Sequence, residues 1–489
     1  MFSRLRSLFF TATPTPPPKD ARVVPCSGVD LAGRDVVVTT GFIIDARLDV
    51  KKLEETFSLL VERKFPRAGA RLALRNGTYE FHVPITFDAQ TPAVAFTSAD
   101  YCEPYASSTR PPVSHLLNAS SSEPWICSSP LIQPFFRSSS CPASLKDFLV
   151  PNTPLIHVHV AVFDDLTFFG ITSTHLMFDA IGISTLMHAW QRLLAGDALE
   201  DIPGMPWDIE PFTSYTKPAP GYMLHRGWYD LVGFTKFAFI VRFIWKIIRD
   251  QKEEHKVVRI PKAYLEDRKR EVMEELSAEE SKEWVGSSDV LMAWWFKTSY
   301  FDRTDPTPLH IHLTVNLRGM PLFPRVPGST ELAPISSPFI NNAVVSLSLP
   351  PMPVNTLRSM SLRNIALIIR RVITIYKNDL DGIAADVRSV CAQNMQVFPH
   401  PPGAEYSLQS NLRSGGLGKL DFSGAALPVG GKTGAARVRY VTAFPQGPGM
   451  PFRGTGMVLF EDEKAVWMNQ TRGAKEWERL RKVGAVEFL

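Results

Sequence analysis

Cysteine is scarce in this chain: Cys26, Cys102, Cys127, Cys141 and Cys391 are all there are in 489 residues. The count is odd and no two stand at metal-ligand spacing. Neither a disulfide framework nor a structural zinc is expected, and a reduced, intracellular protein is the simplest reading. An excess of one charge is also lacking. A net charge of +4 on a chain of this length gives no reason to expect nucleic acid as a partner. No secretory signal is expected. The opening run from Met1 to Phe10 is basic and apolar but short, and Pro14, Pro16, Pro17 and Pro18 end it. Residues 1–20 therefore read as a disordered tail. The glycosylation-like triplets Asn76-Gly77-Thr78, Asn118-Ala119-Ser120 and Asn469-Gln470-Thr471 read as incidental.

Several sites of known chemistry are missing too. Gly431-Lys432-Thr433 ends like a Walker loop, but Ala426 stands where its first glycine is needed and no apolar strand feeds it. Gly415-Gly416-Leu417-Gly418 is a turn, not a dinucleotide fingerprint. No Gly-x-Ser-x-Gly elbow supplies a serine nucleophile. His157-Val158-His159 and His310-Ile311-His312 each place two imidazoles on one strand face. Neither has a local third ligand, so no metal is expected.

What the chain does have is one histidine, among eleven, with an aspartate four residues downstream. It is His175, in His175-Leu176-Met177-Phe178-Asp179. An apolar strand over 166–171 leads into it, and an amphipathic helix over 183–194 leads away. A histidine at a strand-to-helix junction can be held rigidly with one ring nitrogen facing a cleft. That suits a general base, because imidazole titrates near working pH.

An apolar share of 45% against a charged share of 21% is the balance of a globular protein, and the length implies two or three domains. A β-branched strand is expected over 36–45. Asp49 then caps a helix that buries Val50, Leu53, Phe57, Leu60 and Val61 and stops at Phe65-Pro66. Residues 101–154, rich in Ser and Pro, read as long surface loops. The prolines of 196–225 mark a crossover. The second half shows a strand over 257–260, a helix over 262–276 and a helix over 289–300 capped by Ser287 or Ser288. Strands over 309–317 and 342–349 and helices over 357–376 and 380–396 follow. Short strands near 437–443, 456–460 and 465–468 and a charged helix close the chain. The division is a tail (1–20), a first half (21–205), a linker with a basic helix (206–255) and a second half (256–489). Each half mixes strands with covering helices, which predicts two α/β layered domains.

Six segments together resemble the BAHD acyltransferases, especially fungal relatives such as the trichothecene acetyltransferases. His175 to Asp179 fits the His-x-x-x-Asp motif, and Ala180-Ile181-Gly182 departs slightly from the usual Gly-x-Gly. Phe65-Pro66-Arg67-Ala68-Gly69-Ala70-Arg71-Leu72 is similar to the Pro-x-x-Ala-Gly-Arg-Leu end of the family's first helix. Ser287-Ser288-Asp289-Val290-Leu291-Met292-Ala293-Trp294, Asn316-Leu317-Arg318-Gly319 and Phe339-Ile340-Asn341-Asn342-Ala343 follow in the family's order. Asp421-Phe422-Ser423-Gly424 is the counterpart of Asp-Phe-Gly-Trp-Gly, with Ser423 for the first glycine and no tryptophan.

The resemblance implies two similar mixed-sheet domains with the active site in a channel between them. It implies acyl-coenzyme A as co-substrate, an alcohol or amine acceptor, no bound cofactor and no metal. His175 is the expected base. Asp179, Arg318, Asp421 and Phe422 are expected to support the site structurally, with Arg318 paired to either Asp179 or Asp421. The residues that bind coenzyme A are not identified. A monomeric, cytoplasmic enzyme acting on a small natural product such as a terpenoid is the leading expectation. A carrier-protein-dependent condensation enzyme is disfavoured by Thr174, where those enzymes carry a second histidine. A non-catalytic descendant binding a ligand or a membrane is the third reading.

The helix over 226–254 gathers Phe234, Phe237, Ile240, Val241, Ile244, Ile247 and Ile248 on one arc and Arg242, Lys246 and Arg249 on another. Lys236, Arg242 and Lys246 interrupt the apolar run, so it cannot span a bilayer. The favoured expectation is that the apolar arc packs on the protein's own body; the alternative is contact with an anionic membrane surface.

Overall fold

A computed structural model describes residues 20–106, 110–216, 224–280, 282–325, 329–392, 397–428, 434–446 and 452–489. The expected tail, except Asp20, and the Gly431-Lys432-Thr433 loop lie outside them.

Two large mixed sheets carry the molecule. Among the described residues the first has five strands in the order Val438–Gln446, Val37–Ile44, Thr167–Thr174, His157–Val162, Ala95–Asp100. Its neighbours pair antiparallel except the last pair, which is parallel. Val37–Ile44 is mostly β-branched and buried, as a central strand requires. The helix Val50–Lys64 starts at Asp49, whose carboxylate accepts from the Lys52 amide at 3.0 Å. It buries Leu53, Phe57, Leu60 and Val61. The helix Ala180–Ala195 buries Leu186, Met187, Trp190 and Leu194. The two helices meet where Phe57 packs edge-on to Trp190 with ring centroids 4.8 Å apart.

Among the described residues the second sheet has nine strands, including Val344–Ser348, Pro308–Asn316, Glu405–Asn411, Thr455–Glu461, Ala465–Gly473, Glu253–Pro261 and Trp125–Ser128 in that order. Its core includes Trp295, Trp477, Val290 and Ile311. The sheets exchange strands. Val438–Gln446, late in the chain, completes the first sheet, while Trp125–Ser128, early in the chain, pairs with Glu253–Pro261 in the second.

Residues 101–154 correct one expectation. Much of the described stretch is irregular and exposed, as expected, but it is not all surface: Trp125, Ile126, Phe136 and Phe148 are buried. Gly41 and Gly170 pair across adjacent strands, and the missing side chains open a slot that Phe136 fills. A Cβ on Gly170 would lie 1.9 Å from the Phe136 carbonyl oxygen. Composition cannot show such a slot, because glycine and proline count as loop formers wherever they fall.

Smaller corrections have local causes. The helix expected over 357–376 is broken into Val354–Ser359 and Leu362–Asn378, because Ser361 turns to cap the second. The helix Ser287–Ser299 is capped at Gly286, whose amide donates to the Asp289 carboxylate at 2.7 Å, and not by either serine. Asn76-Gly77 is the tip of a hairpin joining Arg71–Arg75 to Thr78–Pro84, with both φ angles positive (49° and 79°), as a primed turn needs.

The basic helix spans Gly233–Arg249 and overturns the packed expectation. Phe234, Phe237, Ile240, Val241, Ile244 and Ile248 are exposed, and no residue of this helix is buried. It docks instead through a different stripe. Phe239 meets Phe398 at 4.6 Å and His400 at 5.0 Å. Among the described residues no helix is long and apolar enough to cross a membrane.

The strand histidines are packing groups. His312 Nε2 donates to the Pro399 carbonyl at 2.8 Å, and its Nδ1 bonds the Ser348 hydroxyl at 2.8 Å. His310 lies edge-on to Tyr229, and His157 edge-on to Phe148. Among the described residues no group of three or more His, Cys, Asp and Glu is placed to hold a metal. Burial pushes the imidazoles of His157, His310 and His312 down to about 4, against about 6.5 in an unfolded chain. Between those values the unfolded state binds more protons, so folding stability is full above about pH 6.5 and falls as pH drops towards about 4. Melting temperature measured in steps from pH 7 to pH 4 is therefore expected to fall steadily, and a flat profile would contradict this assignment.

Candidate active site

The strand Thr167–Thr174 ends one residue before His175, and the helix Ala180–Ala195 begins one residue after Asp179. The His175 amide donates to the Val36 carbonyl at 2.7 Å, tying the turn to the neighbouring strand. Its Nδ1 is buried with no hydrogen-bond partner among the described residues. It faces Gly33, where a Cβ would come within 2.7 Å of that nitrogen. The ring as a whole is half-buried. Nε2 is therefore the nitrogen open to an incoming group.

Asp179 does not touch His175. It caps the helix, accepting from the Gly182 amide at 2.8 Å. Its two oxygens also take both guanidinium nitrogens of Arg318, at 2.9 Å each, and Oδ2 accepts from the Ala343 amide at 2.9 Å. Asp179 is 4% exposed, so this is a buried fork-to-fork pair. Arg318 donates further to the carbonyls of Phe339 at 2.8 Å and Asn341 at 2.6 Å. Of the two aspartates open to it from sequence, Arg318 pairs with Asp179.

Asn342 holds the turn from the other side. Its amide nitrogen donates to the His175 carbonyl at 2.9 Å, to the Leu176 carbonyl at 3.1 Å and to Asp30 at 3.2 Å. Asp30 is buried, and burial raises its carboxyl despite the bonds from Ser27 and Asn342. Gly182 lets the segment come close, since a Cβ there would lie 1.9 Å from the Ile340 carbonyl oxygen. Arg318 and the segment 339–343 thus clamp the turn that carries His175 and Asp179. Sequence reading included Asn342 only as part of a matched segment and missed Asp30. The Ser27-x-x-Asp30 capping box was the signal that could have found it.

Asp421 and Phe422 are not at the histidine. The Asp421 amide donates to the Gln191 side chain at 3.1 Å. Gln191 lies twelve residues beyond Asp179, roughly 18 Å along the helix axis. Phe422 is buried against Trp190 at 5.5 Å. Ser423 replaces the usual glycine without opening the loop, because its hydroxyl bonds Asp421 and accepts from the Ala436 amide at 2.9 Å. Gly424 must stay glycine: a Cβ would lie 1.9 Å from the Leu194 carbonyl oxygen. This loop secures the far end of the helix that follows His175.

An open polar cleft lies beside the same helix. It is lined by Ser287, Ser288, Asn411, Arg413, Ser414 and Glu461. The Ser184 hydroxyl, on the second turn of Ala180–Ala195, bonds the Gly415 carbonyl in the cleft's loop. Arg413 bonds Ser288 in the first turn of Ser287–Ser299. A guanidinium, two hydroxyls and a helix N-terminus together suit an anionic group, although Glu461, 3.3 Å from Arg413, takes part of that charge.

Strand-exchanging mixed sheets around a clamped His-x-x-x-Asp turn define the coenzyme A-dependent acyltransferase fold. F. graminearum TRI101, solved with coenzyme A and T-2 mycotoxin, superposes with a TM-score of 0.64 at 11% identity, over 94% of this chain and 97% of that one. Vinorine synthase gives 0.57 at 14%, over 97% and 96%. No known family model matches the chain. Acetyltransferase adrJ of Penicillium roqueforti is 29% identical over 330 residues, 63% of this chain and 65% of adrJ. That alignment spans just under two thirds of the relative's length. O-acyltransferase pboC of Aspergillus ustus is 25% identical over 461 residues, 89% of this chain and 93% of pboC. Transcriptional regulator calD of Penicillium decumbens is 28% identical over 354 residues, 70% and 69%. The chain is similar in sequence to fungal proteins named acetyltransferase and O-acyltransferase, and it shares the fold of TRI101 and vinorine synthase.

Proposed function

We propose that the protein transfers an acyl group, chiefly acetyl, from acyl-coenzyme A to a hydroxyl of a small natural product of the terpenoid kind. The observation that carries this reading is the open Nε2 of His175 on a turn whose backbone is held from both halves. Nε2 takes the hydroxyl proton as the oxygen attacks the thioester carbonyl. The tetrahedral oxyanion then collapses and expels the coenzyme A thiolate, which recovers the proton from the imidazolium. No bond to the protein forms at any point. Arg413, Ser288 and the N-terminus of Ser287–Ser299 hold phosphate oxygens of coenzyme A. One copy of the chain supplies all of these groups, so a monomer suffices. The names of adrJ and pboC, and the coenzyme A and T-2 bound to TRI101, support the choice of donor and acceptor class.

A second reading, a non-catalytic ligand-binding descendant, has the name of calD on its side. Incubation with acetyl-coenzyme A and a pool of hydroxylated terpenoids, read by mass spectrometry, separates the two. Catalysis gives products heavier by one acetyl group. Coenzyme A binding with no acetylated product across alcohols and amines would favour the descendant.

A further inference from the structure

The helix Gly233–Arg249 presents an apolar face to solvent on a firm mount. At 100° per residue, Ile240, Ile244, Phe237, Ile248, Val241, Phe234 and Trp245 fill an arc of about 140°. All seven are exposed, Phe234 at 80%, Phe237 at 62% and Trp245 at 55%. Scattered surface apolar residues are ordinary, but seven large ones in one stripe are not. Arg249 and Arg242 flank the Trp245 edge of the arc and are exposed as well, with Arg249 lying 5.4 Å over the Trp245 ring. The helix contains no acidic residue. It is tied to the body at both ends. Before it, Tyr229–Asp230 pairs with Val397–Phe398. After it, the Asp250 carboxylate accepts from the Lys475 amide at 3.1 Å.

We infer that this face docks the protein on an anionic phospholipid surface, with the helix lying flat in the interface. The charge pattern selects the occupant. Two arginines along one edge of an apolar arc, on a helix without acidic residues, match lipid headgroups beside acyl chains. A second copy of the same face would bring like charges together. Docking of this kind goes beyond acyl transfer and does not depend on it.

The test is co-sedimentation of the full chain with vesicles of phosphatidylcholine containing phosphatidylserine, and with vesicles of phosphatidylcholine alone. Wild type is expected to bind the anionic vesicles and to lose binding in high salt. Phe237→Asp should weaken that binding at least ~10-fold with an unchanged melting temperature. The double variant Arg242→Glu, Arg249→Glu should weaken it while leaving the apolar face intact. Three results would overturn the inference. One is wild type that ignores anionic vesicles. Another is a Phe237→Asp protein that melts well below wild type, showing the face covered by the chain itself. The third is a wild-type dimer that Phe237→Asp splits, showing a second copy as occupant.

Discussion

His175→Ala is expected to lower kcat by at least ~100-fold, the usual scale for loss of a general base. The fold should survive. The ring makes no side-chain hydrogen bond among the described residues, and the turn is held through its backbone by Val36 and Asn342. Affinity for acyl-coenzyme A should stay near wild type, because the cleft around Arg413 is built from other elements. Steady-state kinetics, a melting curve and a coenzyme A titration on the same preparation check the three parts. A variant that keeps most of its turnover would remove His175 from the chemistry.

Asp179→Asn should act mainly on stability. The substitution leaves the Arg318 guanidinium, 13% exposed, facing a neutral amide whose single oxygen cannot satisfy the four donors that Asp179 accepts from. Breaking a buried pair in this way costs about 3–5 kcal/mol, and the Gly182 cap weakens with it. The expected results are an earlier denaturant midpoint, lower soluble yield and near-normal turnover per folded molecule. An unchanged midpoint with turnover abolished would make Asp179 part of the reaction instead.

Much of this site was legible because its parts are local in sequence. A strand, a turn and a helix over 167–195 carry both His175 and Asp179, and hydrophobic periodicity finds each element. Arg318 was also visible as a candidate. Its partner was not, because Asp179 and Asp421 offer the same carboxylate and only the fold brings one of them to it. Asp30 escaped notice because its short helix Gly28–Leu31 is too brief to show a period. The strand exchange was hidden for a different reason. Trp125–Ser128 lies in a stretch whose composition reads as loop, Val438–Gln446 looks like an ordinary strand of its own half, and pairing between distant strands leaves no mark on composition. The basic helix misled in the opposite sense. Its periodicity was read correctly, but a moment gives the direction of an apolar face without saying what meets it. The aromatic stripe at Phe239, four residues from Phe243, took the inner side.

The central claim is direct transfer from acyl-coenzyme A to an alcohol with His175 as the base. The most direct test follows free thiol and ester together during turnover of acetyl-coenzyme A, with and without the acceptor found by mass shift. The account predicts one thiol per ester, no thiol release above the uncatalysed rate without acceptor, and no acetyl group on the protein. Thiol released in a burst without acceptor, with the acetyl group recovered on a side chain, would contradict it.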